Sequence, residues 1–189
     1  MRKERKMLEK YLIEHCSPTL ASIKTANLFS MVTSEIEDLK RHIKNWNDKF
    51  REKGVEMILL KEEGERALIY LCRKNQLQKD LSKDGVSEFM KNYGYDNNDA
   101  DSAISVLREK LKKQEDFPHE IGIFLGYPLG DVKGFITNSG KNSKCVGCWK
   151  VYCNECEALK SFERFDKCKY LYKKLWEAGK PLMKLTVAA

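Results

Sequence analysis

Ile36, Leu39, Ile43, Trp46 and Phe50 step by three and four residues, so they form one apolar stripe on a helix that stops at Gly54. Two short apolar runs, 55–60 and 67–72, follow at once, divided by the polar stretch Lys61-Glu62-Glu63-Gly64-Glu65-Arg66. Their β-branched, aromatic and aliphatic residues read as the two strands of a hairpin. Both alternating faces are apolar, so the strands should be covered on both sides. A one-striped helix and such a hairpin hide their apolar faces by packing together, which restricts the chain to an α+β fold. The helix start carries Ser34 and Glu37 at capping-box spacing, each placed to satisfy the other's backbone donor.

The other elements fit around this nucleus. Leu8, Tyr11, Leu12 and His15 or Cys16 recur at helical spacing over 3–16, with Pro18 as a breaker, and 19–33 reads as an irregular apolar connector. Helical segments are expected over 75–91 and 99–114, separated by a turn at 92–98. Asp116 and Pro118 mark a further helix start, as cap and first-turn proline. Gly126-Tyr127-Pro128 breaks that helix, and a short one runs on to about residue 138. A strand around 148–152, a long helix over 155–178, a stop at Gly179-Lys180-Pro181 and a closing strand over 182–187 complete the chain. No Pro-, Gly- or Ser-rich linker and no internal repeat interrupts it. The reading is one α+β domain over residues 1–189, a small, largely antiparallel sheet packed with several amphipathic helices.

A chain of 189 residues can bury about 70% of the surface its unfolded form exposes, so it needs neither disulfides nor a structural metal to fold. At 42% hydrophobic and 33% charged residues it is not a disordered chain. No stretch approaches the roughly 20 uninterrupted apolar residues of a membrane span. The basic opening Arg2, Lys3, Arg5 and Lys6 leads into an amphipathic segment and not a signal-peptide core, which predicts a cytosolic protein. The formal charge of +7 sits in the last quarter: residues 141–189 carry 11 Lys and Arg against 5 Asp and Glu, and residues 1–140 carry 24 against 23. On the 155–178 helix, Ala158, Phe162, Phe165, Cys168, Tyr172, Leu175 and Trp176 share one arc, and Lys160, Arg164, Lys167 and Lys174 another. A basic stripe of this kind can track a nucleic-acid backbone, but no aromatic run interleaves with it for base stacking. A solvated helix face is the simpler account, and nucleic acid stands third among the functional readings.

Seven cysteines, an odd number without a secretory signal, point to reduced thiols, each by default a small buried hydrophobe. The spacing Cys145-x-x-Cys148-x4-Cys153-x-x-Cys156 resembles paired metal knuckles. Only Trp149-Lys150-Val151-Tyr152 intervenes, however, where zinc ribbons use about 15–20 residues. If those residues are extended, Cys148 and Cys153 stand roughly 16 Å apart on opposite faces, so one ion cannot be held by both. The sequence therefore predicts no metal site. A redox pair at Cys145/Cys148 or Cys153/Cys156 stays open, without a thioredoxin-like βαβ context around either.

Of the three histidines, His15, His42 and His119, His42 flanks the apolar stripe and should lie at the surface. His119, in Pro118-His119-Glu120, falls in an expected helix first turn, where free backbone N–H groups favour anions. Gly122, Gly126, Gly130 and Gly134 recur every four residues, and tight internal packing is the favoured explanation over close approach of a ligand. There is no HExxH, P-loop, GxGxxG after a strand or GxSxG, so no local signature names an enzyme or its catalytic residues.

Several segments carry a resemblance. They are His15-Cys16-Ser17-Pro18-Thr19-Leu20, Ile23-Lys24-Thr25-Ala26-Asn27-Leu28-Phe29, the run from Phe117-Pro118-His119-Glu120 through Gly126-Tyr127-Pro128, Asp131-Val132-Lys133-Gly134-Phe135-Ile136 and Trp149-Lys150-Val151-Tyr152. In this order they resemble the successive motifs of domain-of-unknown-function family 3793, over nearly the whole chain. The resemblance implies a source among mainly anaerobic Gram-positive bacteria and a reduced cytosol, and it implies no reaction. Two features depart from the family pattern: Gly130 stands where a polar residue is usual, and Cys153 and Cys156 replace a Gly/Asp-type turn. Cys16 and Cys168 fall at motif positions, which makes them the better thiol candidates.

The leading expectation is a cytosolic binding or accessory protein of anaerobic metabolism. A pocket near Lys24, His119, Glu120 and Tyr127 would accept a small anionic ligand or a cofactor, because a cation, a helix N-terminus and a glycine-rich turn coincide in the resembling motifs. A metal- or thiol-dependent redox protein using Cys16, Cys168 or the CxxC pairs is the alternative. An enzyme with a diffuse site remains compatible with the sequence.

Overall fold

The computed structural model describes residues 2–97, 99–113 and 117–188. It resolves into two compact units, one of residues 1–75 with 168–189 and one of residues 76–167.

The first unit opens with helix α1 (Arg2–Leu20), which carries Pro18 inside it and does not break there. Proline removes one backbone donor, but Leu20 is fully buried and holds the last turn against the core. The Ser17 hydroxyl donates back to the Ile13 carbonyl. The expected connector contains a strand, β1 (Ala26–Val32), with Phe29 and Met31 buried and Ser30 and Val32 exposed between and beside them. This period of two is short and mixed in polarity, so it is weak in the sequence. Helix α2 (Ile36–Phe50) buries Leu39, Ile43, Trp46 and Phe50 as the stripe predicts. A 3-10 turn over Arg51–Lys53 then closes on Gly54 in the left-handed region, at φ 66°. The capping box does not form: the helix begins after Glu35 without a side-chain cap, and the Glu35 N–H donates to Thr33 Oγ1 at 3.1 Å.

The hairpin is strands β2 (Glu56–Glu63) and β3 (Arg66–Cys72). β3 is central in an antiparallel sheet of order β1-β3-β2, with Ala26 and Glu56 both opposite Cys72 and a bulge between Leu59 and Lys61. Ala67, Ile69 and Leu71 on one face of β3, and Tyr70 and Cys72 on the other, are fully buried. The side-chain amide of Asn47 joins α2 to β2, bonding the backbone N–H and carbonyl of Met57 at 2.8 Å each.

The second unit takes in most of helix α3 (Lys74–Leu81), then α4 (Val86–Lys91) and α5 (Ala100–Lys113). The segment expected as one helix over 75–91 is cut by Gly85 at φ 72°. The expected cap Asp116 lies outside the described residues. Two short helices follow, α6 (Ile121–Phe124) and α7 (Leu129–Thr137), joined through Gly126 at φ 75° and Tyr127-Pro128. A two-stranded ladder, β4 (Cys145–Val146) with β5 (Lys150–Val151), leads into α8 (Glu155–Glu177). The expected strand over 148–152 is therefore shorter: Cys148 and Trp149 lie in the turn, where the Gly147 N–H donates to the Trp149 carbonyl at 3.0 Å.

From Cys168 onward α8 belongs to the first unit, as does α9 (Leu182–Leu185). The closing segment is a helix instead of a strand because the Pro181 carbonyl accepts from the Lys184 and Leu185 N–H groups. Leu182 and Leu185, three apart, then both enter the core that α1, α2 and the sheet share. Among the described residues, no helix is long and apolar enough to cross a membrane.

Arg73 follows β3 and is 1% exposed. Its guanidinium donates to the carbonyls of Thr19 (2.7 Å) and Leu20 (2.9 Å) at the end of α1, of Lys53 (3.0 Å) and of Val187 (2.8 Å). Burial lowers its pKa, and the carbonyl cage with the negative end of α1 compensates the desolvated charge.

Candidate functional site

The second unit contains a cavity of about 420 Å³, assembled by the α6–turn–α7 segment and the β4–β5 turn. The glycine spacing explains how these pieces come so close. A Cβ on Gly122 would stand 2.7 Å from Val132 Cγ2, and one on Gly134 would stand 2.5 Å from Tyr152 Cβ. Gly130 meets Cys153 Sγ in the same way, at 3.0 Å. Internal packing thus accounts for three of the four glycines, and the left-handed turn at Gly126 for the fourth.

Aromatic and aliphatic side chains form the walls: Phe117, Ile121, Tyr127, Val132, Phe135, Val146 and Trp149. Tyr127 and Trp149 stack at 4.9 Å between centroids, and Trp149 meets Phe162 edge-on at 4.5 Å. His119 approaches Phe135 edge-on at 5.0 Å, and Lys150 Nζ lies 5.8 Å from the centre of the Phe135 ring. Both His119 and Lys150 are exposed and line the cavity.

Asp131 also lines the cavity and is 2% exposed. Its Oδ2 accepts from Trp149 Nε1 at 2.8 Å, and its Oδ1 accepts from the N–H groups of Tyr152 (2.7 Å) and Cys153 (2.9 Å) and from Cys153 Sγ (3.0 Å). Burial alone would raise its pKa, but these donors together outweigh burial and hold the carboxyl below its ordinary value. The Tyr127 hydroxyl donates to the Cys148 carbonyl at 3.1 Å, and burial pushes its pKa up to about 12.

Of the residues expected to meet at one pocket, the structure brings His119 and Tyr127 together in the cavity wall. Glu120 is turned into a polar cluster, where its Oε1 accepts from Lys110 Nζ at 2.6 Å and Tyr95 Oη at 3.2 Å. Lys24 belongs to the first unit, where its ammonium donates to the Ala26 carbonyl at 2.5 Å. The anticipated helix N-terminus offers no anion site. The four-residue α6 has its first amides engaged, Ile121 with the Pro118 carbonyl, Gly122 with His119 and Ile123 with Glu120. Lys150, Trp149 and Asp131 were not among the expected site residues. The signal for Trp149 and Lys150 was the Trp149-Lys150-Val151-Tyr152 run, whose strand-like composition hid a turn, and that for Asp131 was the Asp131-Val132-Lys133-Gly134-Phe135-Ile136 segment.

The thiol candidates sit elsewhere. Cys16 is fully buried, and burial raises its pKa well above the ordinary thiol value despite nearby Lys24. Cys168 lies on the core face of α8, as its position in the helix predicts, and burial pushes it up to about 11. Neither environment favours a thiolate. Cys145 and Cys148 pack against Val151, Ala158 and Phe162. The pKa values of Cys145 and Cys153 are both raised, first by burial and then by Glu155 and Asp131 respectively. Among the described residues, no three His, Cys, Asp or Glu side chains converge as metal ligands. The basic stripe of α8 is exposed, with Lys160 paired to Glu157 at 2.9 Å, Arg164 beside the Phe165 ring and Lys174 over the Tyr170 ring.

Compared with known proteins, the chain matches the family model described as "Protein of unknown function (DUF3793)" over residues 12–186. No curated protein and no solved structure matches the chain.

Proposed function

The chain belongs to the DUF3793 family, whose description names no reaction, and from its own geometry we propose that it is a small-molecule binding protein holding an anionic ligand or cofactor in the cavity of the second unit. The observation that carries this reading is the cavity itself. Its volume of about 420 Å³ is in the range of ligand sites, its walls are largely apolar, and the exposed His119 and Lys150 border it, while the one carboxylate in its lining, Asp131, is already engaged by Trp149 and the hairpin amides. All seven cysteines are unpaired thiols, which is what a reducing, cytosolic setting calls for.

The test is native mass spectrometry of protein purified without oxygen. A molecule should co-purify with the parent chain and be lost from His119→Ala and Lys150→Ala. Both positions are exposed, so the variants should keep the parent's unfolding midpoint. An unchanged load in both variants, or no small molecule on the parent, would overturn the reading.

A further inference from the structure

We infer that the ligand of this cavity is a planar aromatic oxyanion, which enters ring first and leaves its carboxylate or phosphate at the mouth between His119 and Lys150. This rests on the ligand-binding reading and narrows it to a chemical class.

The Tyr127 hydroxyl is engaged with the Cys148 carbonyl, the Trp149 indole N–H with Asp131, and both Asp131 oxygens with their donors on the hairpin. An accepting group pushed to the floor would have to displace one of these donors from its bond or go without a partner, and an anionic one would also meet the Asp131 carboxylate. The oxyanion therefore stays out of the floor, which is left to the ligand's apolar part. The walls themselves are rings already set face to face or edge to face, Tyr127 on Trp149 and His119 on Phe135. A further ring can extend such an arrangement, and a flexible alkyl chain cannot. The quadrupole interaction separates the two by up to roughly tenfold in affinity.

The polar end follows from the mouth. Lys150 Nζ donates to the Gly140 carbonyl at 2.7 Å, and an ammonium has three protons, so two remain to be directed. His119 supplies an imidazole on the same cavity. Against these donors the complementary group accepts only and carries negative charge.

The experiment titrates the whole chain with 2-naphthoate, 2-naphthyl phosphate, the neutral 2-naphthalenemethanol and octanoate. Heat and the NMR signal of the Trp149 indole N–H are followed together. One or both naphthyl anions should bind about tenfold more tightly than the alcohol and up to about tenfold more tightly than octanoate, and should shift the Trp149 signal. Which anion binds better separates a carboxylate from a phosphate ligand. Lys150→Gln combined with His119→Gln should erase the preference over the alcohol. If the alcohol or octanoate matches the naphthyl anions, the aromatic-oxyanion assignment is wrong while the cavity remains a binding site. If none of the four shifts the Trp149 signal, the assignment also fails, and the co-purification experiment then decides the parent reading separately.

Discussion

Asp131 holds Trp149 from behind: the carboxylate on α7 accepts the indole N–H at 2.8 Å and so fixes the ring that forms one wall of the cavity. The same carboxylate gathers the two backbone amides that end the hairpin. The site is thus preorganised by a carboxylate that lines the cavity with both oxygens already engaged.

Replacing Asp131 with Asn keeps an acceptor for the backbone amides but turns an amide N–H toward the indole N–H, or the reverse if the amide flips. The expected loss is about 2–3 kcal/mol in urea unfolding at pH 7. Because the native carboxyl has a depressed pKa, its contribution is complete above the ordinary carboxylate value of about 4 and fades as pH falls through the native one. Asp131→Asn should therefore be destabilised relative to the parent at pH 6 and progressively less so below pH 4. A gap that stays constant down to pH 2.5 would refute the assignment.

The Lys110–Glu120 pair is a second buried charge system, with side chains 20% and 4% exposed and Tyr95 sharing the same carboxylate oxygen. Removing either partner strands the other. Lys110→Met and Glu120→Leu should each lower stability by about 2–4 kcal/mol, and the double variant should lose clearly less than the sum. Additive losses in the double-mutant cycle would show that the contact is not energetically coupled.

Gly134→Ala gives a sign test of the packing. Alanine is the better helix former by about 1 kcal/mol, yet its methyl would overlap Tyr152 Cβ and Cγ, atoms too near the backbone to move aside. Overpacking should win, with a net loss of about 1–3 kcal/mol by thermal or urea unfolding. A stabilised variant would mean that the hairpin does not rest on α7.

Thiol reactivity separates the cysteines by burial. Exposed Cys153 and Cys156 should react with a disulfide reagent in the native protein at pH 7.5, whereas Cys16, Cys72 and Cys168 should react only after unfolding. Rapid native modification of Cys16 or Cys168, mapped by peptide mass spectrometry, would restore them as redox candidates.

What the sequence showed and what it hid follow from the range of the interactions. The α2 stripe and the β2–β3 hairpin were legible because their periodicity and turn lie within a few residues of one another. The extension of α1 past Pro18 was not. It depends on Arg73, which caps the Thr19 and Leu20 carbonyls from more than fifty positions away. The turn at Cys148 and Trp149 was hidden for the same reason, since the groups that bend it, Asp131 and Tyr127, lie on another element. Two of the four expected site residues, His119 and Tyr127, line the cavity, and both came from motifs. Lys24 and Glu120 were grouped with them by character, and the fold engages each elsewhere.

The division of the first unit into residues 1–75 and 168–189 sets an order on synthesis. As the chain leaves the ribosome, residues 76–167 are complete while the unit begun before them still lacks Leu182, Leu185 and the Val187 carbonyl that receives Arg73. The inserted segment can therefore mature first, and the earlier-made residues must wait with a buried-to-be guanidinium still hydrated. The first unit therefore closes only once residues 182–187 have left the ribosome, and until then the Arg73 guanidinium lacks the Val187 carbonyl that completes its cage.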